Sequence, residues 1–227
     1  MSRYTNVAII LHWSIALLIL FNLITGFFHQ SIPRGVWAFH VSSGITVLIL
    51  SVLRIVWRLT HRPPPYPSDM PGWERGLAHV VHFGLYAAML LLPFSGWAMI
   101  SANPPIGSAG AAYADSIKAP PPPEAAKLLP NANKPTLPTN VRRRQPPMFW
   151  GLVKLPMIKP LQDMGATPEG VPAQKEKHEQ IETFHGIGGY VLLALLLLHL
   201  AGALKHSLID GHREFARMGI GKPGRVR

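Results

Sequence analysis

The chain has 227 residues, 48% of them hydrophobic and 15% charged, a balance that excludes disorder as its general state. Mean hydropathy is +0.19 despite 23 prolines and 20 glycines, so the apolar residues must be gathered into blocks. The absence of cysteine excludes a disulfide framework, a thiol nucleophile, a cysteine-ligated iron–sulfur cluster and haem attachment through C-x-x-C-H. The formal charge of +11 is compatible with nucleic-acid binding or with the basic loops of a membrane protein, and the placement of the blocks separates the two.

A helix needs roughly 20 apolar residues to cross about 30 Å of hydrocarbon, and four runs reach that length. The first, 6–28, reads NVAIILHWSIALLILFNLITGFF and contains no Asp, Glu, Lys or Arg. One Arg precedes it, its apolar stretch is too long for a signal peptide and no small-residue cleavage site follows, so it is expected to be retained. The second, 36–59, carries Arg54 and Arg58 only at its far end, where long side chains reach the head groups. The third, 76–100, contains Pro93, which predicts a kink, and the fourth runs 183–205. The predicted fold is all-α: an up-and-down four-helix transmembrane bundle with a long outer loop, 101–182, between the third and fourth helices.

Positive charge sets the orientation. Arg3, the loop carrying Arg54, Arg58, Arg62 and Arg75, and the tail carrying Lys205, Arg213, Arg217, Lys222, Arg225 and Arg227 fall on one side of a four-span chain, which predicts that both termini are cytoplasmic. The opposite side receives the loop around Arg34 and the long, proline-rich 101–182 segment. That segment holds Pro120, Pro121, Pro122 and Pro123, further prolines at 130, 135, 138, 146 and 147, and Arg142, Arg143 and Arg144, a composition that favours extended, poorly packed chain. Two pieces of it read as ordered: 148–158, MFWGLVKLPMI, suits the head-group region, and 173–185, AQKEKHEQIETFH, reads as an extramembrane start to the fourth helix.

Histidines are the chemically informative residues. Of eleven, His12, His40, His79, His82, His185 and His199 fall inside the spans, where an ionisable group is costly and points to function. His185 and His199 are 14 residues apart, nearly four turns and about 21 Å of rise, so they share a face at opposite membrane levels. Threading the chain up and down places His12 level with His199 near the inner side, and His40 level with His185 near the outer side. Facing helices of a bundle build cofactor sites in this way. Two neutral imidazoles at one level, without carboxylate or thiolate, suit bis-histidine haem iron, whereas zinc usually takes more ligands. Ser42, Ser43 and Gly44, and Gly186, Gly188 and Gly189, would leave room for a flat macrocycle, although small residues also let bare helices approach.

These residues resemble the prokaryotic cytochrome b561 family, four-helix di-haem b membrane proteins related to the cytochrome b subunits of hydrogenases and formate dehydrogenases. The matching stretches are LHW at 11–13, FHVSSGITVLILSVLRIVWRL at 39–59, GLAHVVHFGLYAAMLLLPFSGWAMI at 76–100 and the FHGIGGY to LHLAGALKH stretch at 184–206, which cover all four spans. By that resemblance His12, His40, His185 and His199 fall where the family places its axial haem ligands. The resemblance implies two non-covalent haem b groups and an oxidoreductase activity: superoxide oxidised at the outer face with ubiquinone reduced, or electrons passed between a quinone and a periplasmic redox partner. The 101–182 loop is longer and richer in proline than in the superoxide-oxidising members, which leaves the outer-face donor open.

The other polar residues in or near the spans carry two readings each. His79 and His82 suit either interfacial or propionate-binding roles or the handling of quinone and protons. His206, seven residues after His199, sits on nearly the same face and offers a proton relay, against the plainer reading of an interfacial histidine. Arg54 and Arg58 suit haem propionates, yet the positive-inside pattern places Arg there without any haem. Arg142, Arg143 and Arg144, with Lys118, Lys127, Lys134, Lys154 and Lys159, would steer an anionic substrate, or form a solvated basic loop. His29, His61, His178 and His212 fall in loops or tails, with no cofactor role expected. The six tryptophans, Trp13, Trp37, Trp57, Trp73, Trp97 and Trp150, read as an aromatic belt. Alternative functions are a cytochrome b serving a dedicated partner docked on the long loop, and a haem-free metal or proton transporter. Nucleic-acid binding is set aside because the basic residues flank apolar spans.

Overall fold

The computed structural model of the protein describes residues 3–31, 33–67, 69–117, 146–211 and 214–221. Helix α1, Asn6–Phe27, starts where the Thr5 hydroxyl accepts a hydrogen bond from the Ala8 amide at 3.3 Å, satisfying one of the first-turn donors. Helix α2, Arg34–Thr60, begins directly after Pro33 and ends shortly before Pro63, Pro64 and Pro65, which cannot continue a helix. Helix α3, Gly72–Ser101, runs through Pro93 without interruption. These three and the long helix Val171–Leu208 are each long and apolar enough to cross a membrane. The last of them begins 12 residues before the predicted span, taking in the polar 173–182 stretch as helix.

The chain divides into two compact units, 1–94 with 185–227, and 95–184. The first contains the bundle core, to which each long helix contributes: Ile15 and Ile19 of α1, Val47 of α2, Met89 and Leu92 of α3, and Leu192 of the long fourth helix. Outward faces are apolar as well, with Ile10, Leu17, Leu20, Leu197 and Leu198 all exposed. A helix apolar on every side is stable only where its surroundings are also apolar, as in a bilayer. Cross-helix contacts give the up-and-down order. Asn22 meets Ser43 and Thr25 meets His40, so α1 and α2 are antiparallel. Gly84 faces Leu195 while Gly188 faces Leu92, which makes α3 and the fourth long helix antiparallel too.

Gly188 is closely packed. A Cβ there would stand 2.5 Å from Leu92 Cδ2, the movable end of a side chain that fills the space beside this glycine. Gly186 does face open space.

The second unit is ordered in the two pieces expected to be so, 148–158 and 173–185, and also outside them. Helix α4, Ala109–Ser116, is capped by the Ser108 hydroxyl. Strands β1, Met148–Phe149, and β2, Val153–Lys154, pair antiparallel around Trp150 and Gly151, both in the left-handed region at φ 51° and 71°. Helix α5, Lys159–Asp163, follows, and a short 3-10 turn at Pro168–Gly170 leads into helix α6, Val171–Leu208. The amide of buried Gln174 donates to the carbonyls of Leu161 and Gln162 at 2.8 and 3.0 Å, clamping α5 to α6. Trp97 Nε1 donates to the Pro156 carbonyl at 2.7 Å, and the Ile158 amide donates to Ser101 Oγ at 3.1 Å. Lys118, Lys127, Lys134, Arg142, Arg143 and Arg144, with the prolines between 120 and 138, lie outside the described residues. Back in the first unit, a short helix α7, Glu214–Arg217, follows α6.

Candidate functional site

Two pairs of histidine rings meet inside the first unit. His40 of α2 and His185 of α6 have ring centroids 6.4 Å apart, and His12 of α1 and His199 of α6 are 6.2 Å apart. The rings of each pair are inclined at 70° and 67° and are too far apart to stack. A metal bound between two imidazole nitrogens, with bonds of about 2.0–2.1 Å, would hold the centroids about 6.3 Å apart. Both pairs stand at a separation compatible with two imidazoles sharing a metal ion. The chain has no cysteine, and the ring neighbours at the two levels are imidazoles and tryptophans, a donor set that suits haem iron better than zinc.

At the His40 level the surrounding hydrogen bonds select the tautomer. Thr25, buried on α1, spends its hydroxyl proton on the Phe21 carbonyl at 2.9 Å, so its oxygen accepts from His40 Nδ1–H at 2.8 Å. His185 Nδ1–H donates to the carbonyl of Leu92 at 3.1 Å, and a carbonyl can only accept. Both rings are thereby left with the lone pair on Nε2, the form in which histidine binds a metal. Trp37, one turn before His40, stacks on its ring at 4.9 Å and 2°. Such a stack restricts ring rotation.

At the other level, His12 lies 5.2 Å from the Trp13 ring, and His82 of α3 lies 5.0 Å from His199. The His82 Nδ1–H donates to the Ala78 carbonyl. Arg54 Nη1 donates to the Ala8 carbonyl at 3.1 Å, and its charge is within electrostatic range of His12, His82 and His199. Arg58 acts more weakly at this level and also reaches Tyr66. His79 is turned to the Tyr66 ring at 5.3 Å, apart from the His12 and His199 rings. His206 joins Glu74, Lys205 and Asp210.

Three partners escape a reading of the residues alone. Thr25 and the Leu92 carbonyl become visible only with the register of α1 on α2 and of α3 on α6. Trp37 stands at a helical i, i+3 spacing from His40, a signal present in the sequence but equally compatible with a membrane-boundary tryptophan.

Comparison with known proteins identifies the family. Residues 3–221 match the family described as prokaryotic cytochrome b561. A probable superoxide oxidase CybB from Yersinia pestis is 30% identical over 102 residues, 43% of this chain and 58% of that protein. Cytochrome b561 homolog 1 from Escherichia coli (strain K12) is 25% identical over 107 residues, 44% of this chain and 61% of that protein. The chain thus spans about 60% of the length of these relatives. Because the family match runs through all four apolar helices and both histidine pairs, the chain belongs to the prokaryotic cytochrome b561 family.

Proposed function

We propose that the protein is a di-haem b electron-transfer protein of a bacterial inner membrane, moving electrons between an outer-face donor and the membrane quinone pool. His40 and His185 would hold one haem near the outer side, and His12 and His199 the other near the inner side. The observation that carries this reading is the repeated ring separation, 6.4 and 6.2 Å, at two levels of one bundle. Haem b supplies, when bound, a reversible one-electron couple whose potential follows axial ligation, hydrogen bonding and burial.

The chain's own contribution is positioning. Thr25 and the Leu92 carbonyl hold two imidazoles in the metal-binding tautomer, and Trp37 limits the rotation of one of them. Ile15, Ile19, Val47 and Leu192 keep water out of the core. Arg54 offers a cation to haem propionates near His12 and His199, with Arg58 further out. Positive charge at Arg58, Arg62, Arg75 and Lys205 supports a cytoplasmic placement of that end and of both termini, with 101–182 as a periplasmic loop of a single transmembrane domain. The name of the Yersinia pestis relative favours superoxide as donor. The balanced reaction is two superoxide anions, one quinone and two protons giving two dioxygen molecules and one quinol.

Oxidised and dithionite-reduced visible spectra of the detergent-purified protein, with haem quantified against protein, test the cofactor assignment. Two low-spin b-type haems per chain are expected, and a single haem would refute the two-pair scheme. Adding superoxide and ubiquinone to the purified protein should then yield quinol. Intact haems without quinol formation would replace the quinone reaction by delivery to a dedicated redox partner.

A further inference from the structure

Where α6 ends, four ionisable side chains from two separated parts of the chain converge. Lys205 Nζ lies 3.0 and 3.1 Å from the two carboxylate oxygens of Glu74, in the first turn of α3, and 2.8 Å from Asp210 Oδ2. His206 stands between the same two acids, with Nδ1 2.8 Å from Asp210 Oδ2 and Nε2 3.7 Å from Glu74 Oε2. Lys205, and after it His206, hold the Asp210 carboxyl below its ordinary range. Glu74 is largely buried, with its side chain 10% exposed.

The charge balance is informative. Among the described residues, two carboxylates and one ammonium leave the group at −1 while the imidazole is neutral, and adding one proton brings it to zero. Both ring nitrogens face carboxylate oxygens, yet a neutral imidazole carries a single N–H, so only the imidazolium presents a donor to each side. Glu74, His206 and Asp210 also bring potential ligand atoms within 4.8 Å of one another. The Lys205 ammonium already engages both acids, so a divalent cation would first have to expel it. One proton fits where a dication does not.

The group is also well placed along the helices. His206 follows His199 by seven residues, about 10.5 Å of rise on nearly the same face, and Glu74 precedes His82 by eight residues, about 12 Å. We propose that Glu74, His206 and Asp210, balanced by Lys205, are a proton-loading site that delivers cytoplasmic protons to a quinone reduced at the His12 and His199 end of the bundle. This rests on the quinone-linked reading above. Each quinone takes two electrons from the donor and two protons, so every turnover draws on the site twice, and His206 is recharged from water between deliveries.

The test uses the haem-loaded full-length protein carrying His206→Asn, which keeps a donor toward Asp210 but cannot carry the proton, and separately Glu74→Gln. Three quantities are read: haem content, the rate at which the donor reduces the haems without quinone, and quinol formation from pH 6 to 9. A proton-loading role leaves the first two unchanged and lowers quinol formation at least about tenfold, since positioned acid–base groups typically contribute 10²–10⁴-fold. The deficit should widen as pH rises, and added imidazole should restore the His206→Asn variant. Wild-type rates across the pH range in both variants would overturn the proposal. So would a loss that merely follows loss of haem, which would mark the group as a clasp between helix ends. Wild-type protein with intact haems that forms no quinol would instead refute the quinone reading, and this proposal with it.

Discussion

Replacing Thr25 by Val removes the hydroxyl that partners His40 in the proposed haem site. The two side chains have nearly the same volume, and Thr25 is only 4% exposed, so the substitution leaves no cavity and adds no bulk. What is lost is the acceptor for His40 Nδ1–H at 2.8 Å, together with the hydroxyl's bond to the Phe21 carbonyl, which lies within α1 and has the helical ladder as its other partner. A buried donor left unsatisfied costs about 1–3 kcal/mol. Loss of the partner that orients a metal-bound histidine typically weakens metal binding about 10–100-fold, or about 1.4–2.7 kcal/mol, so the two routes agree. Haem transfer from the holoprotein to an excess of a haem acceptor, followed by visible absorbance, measures the effect. The haem held by His40 and His185 should leave about 10–100 times faster than in wild type, with a raised potential, because an imidazole without this partner donates less electron density to iron. The haem held by His12 and His199 is the internal control and should leave at its wild-type rate. Unchanged release of both would show that Thr25 contributes nothing to ligation. Equal acceleration of both would show that Thr25 acts on the fold.

Four further outcomes follow from the geometry. His40→Ala or His185→Ala should remove one haem and leave the other, while His12→Ala or His199→Ala should do the reverse; full retention of both haems in any of the four would refute that ligand. Gly110→Ala places a Cβ on the Gly165 carbonyl oxygen, a backbone atom that cannot rotate away, and should destabilise the 95–184 unit by about 3 kcal/mol or more, seen as faster limited proteolysis within it. Arg217, 7% exposed, donates to the Pro64 and Pro65 carbonyls and pairs with Glu214, so Arg217→Met should cost about 1–2 kcal/mol and raise amide exchange at Met218 and Ile220. The Asp210 carboxyl is held below its ordinary value of 3.8, so its stabilising contribution is complete above that value and is lost as pH falls through the lower native one; exchange at 205–211 should rise in that window and not at neutral pH.

The four long helices are legible in the residues because the bilayer sets a length requirement that few soluble sequences meet. Each span also lacks the interior charge that would make the assignment ambiguous. Level arithmetic reaches further: with helices alternating in direction, depth alone brings His12 to the height of His199 and His40 to that of His185. What depth does not supply is azimuth. Thr25 and His40 touch because α1 and α2 pack in one register, and a rotation of either helix by one residue, about 100°, would separate them while leaving every hydropathy pattern unchanged. The Leu92 carbonyl is harder still, since a backbone atom has no identity in sequence. Between α3 and α6, helices α4 and α5 lie outside the two pieces expected to be ordered, and α5 is held by a polar residue. Gln174 lies in a stretch of Lys and Glu that reads as solvent-facing, yet its amide is buried and satisfies two carbonyls of α5. Glu74 and Lys205, 131 residues apart, each look like ordinary charges at helix ends. Only their convergence with His206 and Asp210 makes a group that is, among the described residues, one charge short of neutrality, and that deficit, a property of no single residue, is what the proposed proton-loading site draws on.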